Sequence, residues 1–263
     1  MDLGLKGKGV IILASSAGLG KAGALEFAKE DAKVMLFSSN RNKISKTAEE
    51  LKEITGNKDI YYTVGDITKD KDIQYLVDHT ASKFGSIDIL VNNTGGPPAG
   101  EFDVFNDEDW QKAYELVLLS AIRAIRAVVP HMKKQGGGHI VNSTSSSVKR
   151  VIDNLILSNT FRMGVVGLTK TLSQELASNN ILINVIGPGR ISTDRTKHLD
   201  QIKAQKQGIT TEEAEENSLA MIPLGRYGSP EEYGKLMVFL CSEANTYITG
   251  QTILVDGGLV KAF

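Results

Sequence analysis

The chain has 263 residues, with 30 Lys plus Arg against 31 Asp plus Glu and a formal net charge of -1. A chain of that length forms one domain or two and buries a core without disulfide or metal support. The charge balance argues against the basic surplus of a nucleic-acid-binding domain. A single cysteine, Cys241, allows no internal disulfide and sits in an apolar run, as a buried, inert thiol would. The four histidines, at 79, 131, 139 and 198, lack the spacing of a zinc-binding helix, so no metal site is expected. No apolar stretch reaches the length of a membrane span and the N-terminus has no signal-peptide pattern, so the chain is expected to be cytoplasmic.

Short apolar runs alternate with longer amphipathic stretches. Strands are expected at Val10–Leu13, Lys33–Phe37, Ile60–Val64, Ile87–Val91, His139–Asn142, Leu182–Ile186 and Thr252–Val255. Several are nearly continuous apolar runs, which fits strands covered on both faces. Helices are expected near 19–30, 41–54, 70–84, 107–134, 157–178 and 230–242. Seven strands with intervening helices predict one α/β domain over 1–263: a doubly wound, Rossmann-like sandwich with a seven-stranded parallel sheet. The polar segment near 194–217, within a 190–220 insertion after the sixth strand, is expected to be a substrate lid. Its alternative is a solvated helical excursion.

The first strand runs into Ala14-Ser15-Ser16-Ala17-Gly18-Leu19-Gly20 and then a helix. Such a small-residue turn lets backbone N–H groups approach a pyrophosphate at the positive helix end, so Ser16, Gly18, Leu19 and Gly20 are candidate cofactor contacts. An ordinary tight turn would look the same. The second strand ends in Ser38-Ser39-Asn40-Arg41 with no acidic residue to hold a ribose 2′-hydroxyl. Ser39, Asn40 and Arg41 suit a 2′-phosphate instead, which favours NADP(H) over NAD(H). Arg41 could equally be a solvated first-turn residue.

These residues resemble the short-chain dehydrogenase/reductase family, one-domain type, over essentially the whole chain. Ala17-Gly18-Leu19-Gly20 is similar to the second half of its glycine motif, with Ala14 in place of the first glycine. Asp66, followed by Ile67, resembles its adenine-binding aspartate. Asn92-Asn93-Thr94-Gly95 is close to its Asn-Asn-Ala-Gly motif, and Ser145 aligns with its catalytic serine. Asn184 through Pro188 and Gly189, followed by Ile191 and Thr193, resembles its Pro-Gly segment. The resemblance implies hydride exchange with a nicotinamide cofactor. It makes Asp66, Ile67, Asn93, Thr94, Gly95, Arg162, Pro188, Gly189, Ile191 and Thr193 cofactor contacts. It also implies a dimer or tetramer formed through helices 107–134 and 157–178, with Trp110 a candidate interface residue.

The departures fall where the chemistry happens. The family uses an Asn, Ser, Tyr, Lys tetrad. Here the asparagine position aligns with Val117, the tyrosine position with Ser158 and the lysine position with Arg162; only Ser145 is retained. A serine hydroxyl is a far weaker acid than a phenol, and an arginine stays protonated and donates poorly at neutral pH. Serine, water and a fixed cation still stabilise developing negative charge. Two readings follow. The first is a reductase or dehydrogenase of a small carbonyl or secondary alcohol, in which Ser145, Ser158 and Arg162 position the substrate and water carries the proton. The second is a nucleotide-binding protein that has lost reductase activity and acts as a sensor or oligomer partner. Lys149, Arg150 and Asp153 could line the pocket rim. Among the histidines only His198 falls in the lid, and Tyr114 reads as packing.

Overall fold

The computed structural model describes residues 2–262. Seven strands form one sheet: β1 (Gly9–Ile12), β2 (Lys33–Ser38), β3 (Ile60–Val64), β4 (Ile89–Asn92), β5 (Gly138–Ser143), β6 (Ile181–Pro188) and β7 (Thr252–Val255). Their order is β3-β2-β1-β4-β5-β6-β7, and every pair is parallel. The sheet is therefore the doubly wound, Rossmann-like arrangement expected from the alternation of apolar runs. Its order reverses between β1 and β4, which opens a crevice beyond the carboxyl ends of those strands.

Strand periodicity sorts the core into two layers. Val10 and Ile12 of β1 point to one face with Val34 and Leu36 of β2; Ile11, Met35 and Phe37 point to the other. The first face is covered by α1 (Gly18–Lys29), α2 (Arg41–Thr55) and α9 (Pro230–Leu240), through residues such as Phe27, Leu51 and Met237. The second is covered by α3 (Asp70–Phe84) and α5 (Ser120–Gln135), through Leu76, Ile125 and Val128, with Leu168 and Leu172 of α6 (Ile156–Glu175) packed alongside. Each fully buried aliphatic side chain contributes about 1.5–3 kcal/mol, so both helical layers are fixed by the sheet pattern.

The expected helix 107–134 is not uniform. It divides into α4 (Asp107–Tyr114), a π-helical turn over Glu115–Leu119, and α5. Asn106 caps α4 with a capping box completed by Asp109. The π turn holds about one extra residue per turn and shifts the helical register; Val117 within it is buried. Strand and helix ends otherwise move by one to three residues, where capping geometry rather than periodicity decides. The 157–178 helix closes at Glu175, and a short 3-10 turn ends in Asn180 with a left-handed backbone.

The polar insertion folds as two helices, α7 (Asp194–Gln207) and α8 (Thr211–Leu219), each capped by a threonine, Thr193 and Thr210. Asp200 of α7 is buried and receives both Arg190 and the Tyr227 hydroxyl, the latter at 2.9 Å. Burial and that contact push the Tyr227 phenol up to about 12. No helix among the described residues is long and apolar enough to cross a membrane.

Candidate active site

The glycine turn after β1 is held open by its neighbours. Ser15 is buried; its hydroxyl donates to the Ile12 carbonyl (2.9 Å) and accepts from the Phe37 amide (3.0 Å), which staples the turn to β2. Ala14, where the family has glycine, has φ 47°. That left-handed conformation costs an L-residue about 1–2 kcal/mol. Asn93, buried at the end of β4, holds it there by donating from Nδ2 towards the carbonyls of Leu13 (3.4 Å) and Ala14 (3.3 Å). A Cβ on Gly20 would sit 2.5 Å from the Ala14 carbonyl oxygen, so only glycine fits. Ala17, the N-cap of α1, offers no side-chain acceptor, which leaves the first-turn amides of α1 directed at the crevice. Such a turn has the geometry that suits a pyrophosphate.

Beside it, Ser16 Oγ receives the Ser38 hydroxyl at 3.0 Å. Ser39, Asn40 and Arg41 are exposed at the end of β2. Asn40 is the N-cap of α2, accepting from the Lys43 amide at 2.9 Å, and Arg41 opens the helix. No carboxylate stands among residues 38–41, so the donor set suits a phosphate. Asp66, beyond β3, is exposed and accepts from the amide (2.9 Å) and hydroxyl (2.8 Å) of Thr68, while Ile67 packs against the core. Thr94 folds onto the Gly95 carbonyl at 2.6 Å.

Ser145, Ser158 and Arg162 lie beyond β5 and on α6. Ser145 is half-buried and caps a short 3-10 turn by accepting from the Ser147 amide at 3.1 Å, which leaves its hydroxyl proton available. Ser158 and Arg162 stand one helical turn apart and are both buried, each 7 % exposed. Arg162 Nε donates to Ser158 Oγ at 3.1 Å and Nη1 to the Ser143 carbonyl at 3.3 Å. Both partners are neutral. Burial pulls the guanidinium pKa down to about 10; the Tyr233 phenol opposes that shift and the positive charge of Arg195 adds to it.

Around this guanidinium Asn92, Thr94, Val117, Ala121, Asn142, Ser143 and Val165 enclose a cavity of about 10 Å³, the room of one water. Val117 lines it from within the π turn. Asn92 Nδ2 donates to Asn142 Oδ1 at 2.7 Å, and Asn142 donates to Thr169 at 2.8 Å. Asn92 Oδ1 is buried without a partner.

Pro188 ends β6, and a Cβ on Gly189 would lie 2.6 Å from the Asp256 Cα, so the chain turns tightly there. Ile191 is buried; Thr193 caps α7, accepting from the Thr196 amide at 3.3 Å. The rim residues Lys149, Arg150 and Asp153 are exposed.

The residues singled out in the sequence thus gather along one crevice at the carboxyl edge of the sheet. His139, second residue of β5, lies at the opposite edge, its Nε2 3.2 Å from the Asn245 carbonyl. Tyr114 packs on Phe161, which also contacts Trp110. Cys241 is buried, and its thiol pKa is pushed up by desolvation. Sequence reasoning assigned no role to the side chains of Asn92 and Asn142, which it met only within or beside motifs, and did not single out Tyr233 or Arg195. The asparagines carried a signal, since polar residues interrupt the ends of two otherwise apolar strands. Tyr233 and Arg195 carried none, because their roles depend on contacts between distant elements.

A parallel sheet with a glycine turn at its switch point and a basic, serine-lined crevice defines a Rossmann-type dinucleotide-binding oxidoreductase fold. Residues 13–260 match the family model described as "Enoyl-(Acyl carrier protein) reductase". The chain is 36% identical over 258 residues to the 3-oxoacyl-(acyl-carrier-protein) reductase FabG of Thermotoga maritima, covering 97% of this chain and 99% of that protein. It is 32% identical over 260 residues to 7alpha-hydroxysteroid dehydrogenase of Escherichia coli K12, covering 99% and 97%. The crystal structure of L-sorbose reductase from Gluconobacter frateurii, complexed with NADPH and L-sorbose, superposes with a TM-score of 0.94 at 32% identity, covering 100% of both chains. The chain belongs to the short-chain dehydrogenase/reductase family.

Proposed function

We propose that the protein is an NADP(H)-dependent reductase that interconverts a small carbonyl compound and its secondary alcohol, with Ser145, Ser158 and Arg162 serving the reacting oxygen in place of the family's tyrosine and lysine. The observation that carries this reading is the buried Arg162, a cation at the crevice whose side-chain contacts are all to neutral oxygens. An uncompensated buried charge is costly. Its retention is accounted for if negative charge develops beside it during reaction.

Bound nicotinamide supplies the hydride, and the chain has to hold the carbonyl and manage its oxygen. Ser145, with its proton uncommitted, donates to that oxygen. Arg162 is fixed by Ser158 and the Ser143 carbonyl and polarises it. None of Ser145, Ser158 and Arg162 is a proton source matched to neutral pH, so the proton is drawn from bulk solvent and relayed through water, for which the cavity lined by Asn92, Thr94 and Arg162 has room. The relatives support a carbonyl or alcohol substrate, since their names are those of reductases and a hydroxysteroid dehydrogenase. NADPH in the L-sorbose reductase complex and the acid-free end of β2 support the phosphate-bearing cofactor. We also take 1–263 as one domain with 190–220 as its substrate lid, and the exposed faces of α4, α5 and α6 as a homo-oligomer surface.

Single-turnover mixing of the NADPH-loaded protein with a panel of ketones tests the assignment. Loss of the nicotinamide absorbance near 340 nm with at least one ketone is expected. The Ser158→Tyr, Arg162→Lys, Val117→Asn triple variant, run beside it, restores the family's groups and should shift the pH profile. Tight NADPH binding without hydride transfer to any ketone would establish the nucleotide-binding reading instead.

A further inference from the structure

The loop after β4, residues 94–97, is flanked by two guanidiniums. Arg162 of α6 lies under it, sharing a cavity with Thr94. Arg195, in the first turn of α7, lies over it: Nη2 donates to the Pro97 carbonyl at 3.3 Å, and a Cβ on Gly96 would fall 2.9 Å from the same nitrogen. That close approach is possible because residue 96 is glycine. Arg195 has a large exposed area, yet partial burial lowers its pKa, and its charge reaches Arg162 and lowers that pKa further. No ion pair to either guanidinium occurs among the described residues, although Arg190 and Arg226 nearby in sequence are both paired, with Asp200 and Glu232.

Two like charges held near one another, one of them buried, raise the energy of the ligand-free site and favour a ligand that brings negative charge. A guanidinium fork suits a carboxylate in particular. The glycine turn lies on the other side of the crevice and has its own anion cradle at α1, and Arg195 contacts the β4 loop, not that turn.

We propose that Arg195 is a specificity-determining residue: with Arg162 it forms an anion-binding pair across the 94–97 loop, and the substrate is a carbonyl compound that also carries a carboxylate. The pair divides the work, Arg195 holding the carboxylate and Arg162 facing the carbonyl oxygen. This assignment rests on the reductase reading above and names its substrate class.

The test is a calorimetric titration of the NADP+-saturated protein with 2-oxobutyrate and 3-oxobutyrate, each paired with its methyl ester. NADPH affinity is measured on the same samples, and the titrations are repeated without nucleotide. At least one acid is expected to bind at least tenfold more tightly than its ester. Arg195→Gln should bring acid and ester within about twofold of each other while the NADPH dissociation constant stays unchanged. Gly96→Ala, which keeps the charge but displaces the guanidinium, should narrow the preference in the same direction. Equal affinity for acid and ester, or no binding of either acid, overturns the proposal. So does an Arg195→Gln variant whose loss falls on NADPH, because Arg195 would then be a cofactor contact. An acid preference that persists in a protein unable to transfer hydride would sink the reductase reading alone.

Discussion

Tyr233 of α9 reaches through the core to Ser143 at the end of β5. The two hydroxyls lie 2.8 Å apart, and the phenol also donates to the Ile186 carbonyl of β6 at 3.2 Å. The Ser143 backbone carbonyl in turn receives Arg162. The strand ends that present the guanidinium are therefore braced from the opposite face of the sheet. The phenol is fully buried and committed to Ser143 and the Ile186 carbonyl, so Tyr233 braces these strand ends; burial also pushes its pKa up. Tyr233→Phe removes both hydrogen bonds and should cost about 1–3 kcal/mol of stability, read as a lower denaturation midpoint. Turnover of the folded variant should stay within a few-fold of wild type; complete loss of turnover at full folding would mean that the phenol takes part in the chemistry.

Arg162→Met separates stability from function. The substitution removes a buried charge with no carboxylate partner and keeps the volume. Stability should rise by about 1 kcal/mol, or a few degrees in Tm. Hydride transfer should fall by about a hundredfold or more. Thermal denaturation and single-turnover kinetics on one preparation check both. A variant that is less stable and equally active refutes the assigned role.

Ser158→Ala frees Arg162 Nε and leaves a buried donor unpaired. Turnover should fall by about tenfold with a smaller effect on NADPH binding, since one neutral tether to a charged group is lost. Stopped-flow kinetics with parallel nucleotide titration resolve the two effects.

Arg41→Glu places a carboxylate where the end of β2 now has none. NADPH affinity should weaken by at least about tenfold while NADH affinity holds or improves. Equal losses for the two nucleotides would show that Arg41 does not read the 2′-phosphate.

His139 sets an acid limit on stability. Burial lowers its pKa below the ordinary imidazole value of 6.5. As pH falls below that value the unfolded chain takes up a proton that the native ring refuses, so stability declines until the native pKa is reached and is unaffected above 6.5. In His139→Gln this part of the decline below about pH 6.5 should disappear, as urea midpoints at several pH values would show.

The parallel sheet and the open turn after its first strand were legible in the residues alone. Continuous apolar runs such as Val10–Leu13 can be buried only between two helical layers, and small residues at 14–20 leave a helix N-terminus open to a phosphate. The charge left bare at Arg41 was also legible, because no acidic neighbour exists within the turn. What only the tertiary structure decided is how the site is wired. The cavity shared by Val117 and Arg162, the Tyr233 brace and the reach of Arg195 to Gly96 join residues many positions apart. Periodicity records which face of an element is apolar, whereas the pairing of a donor on one element with an acceptor on another depends on where the packed core sets them.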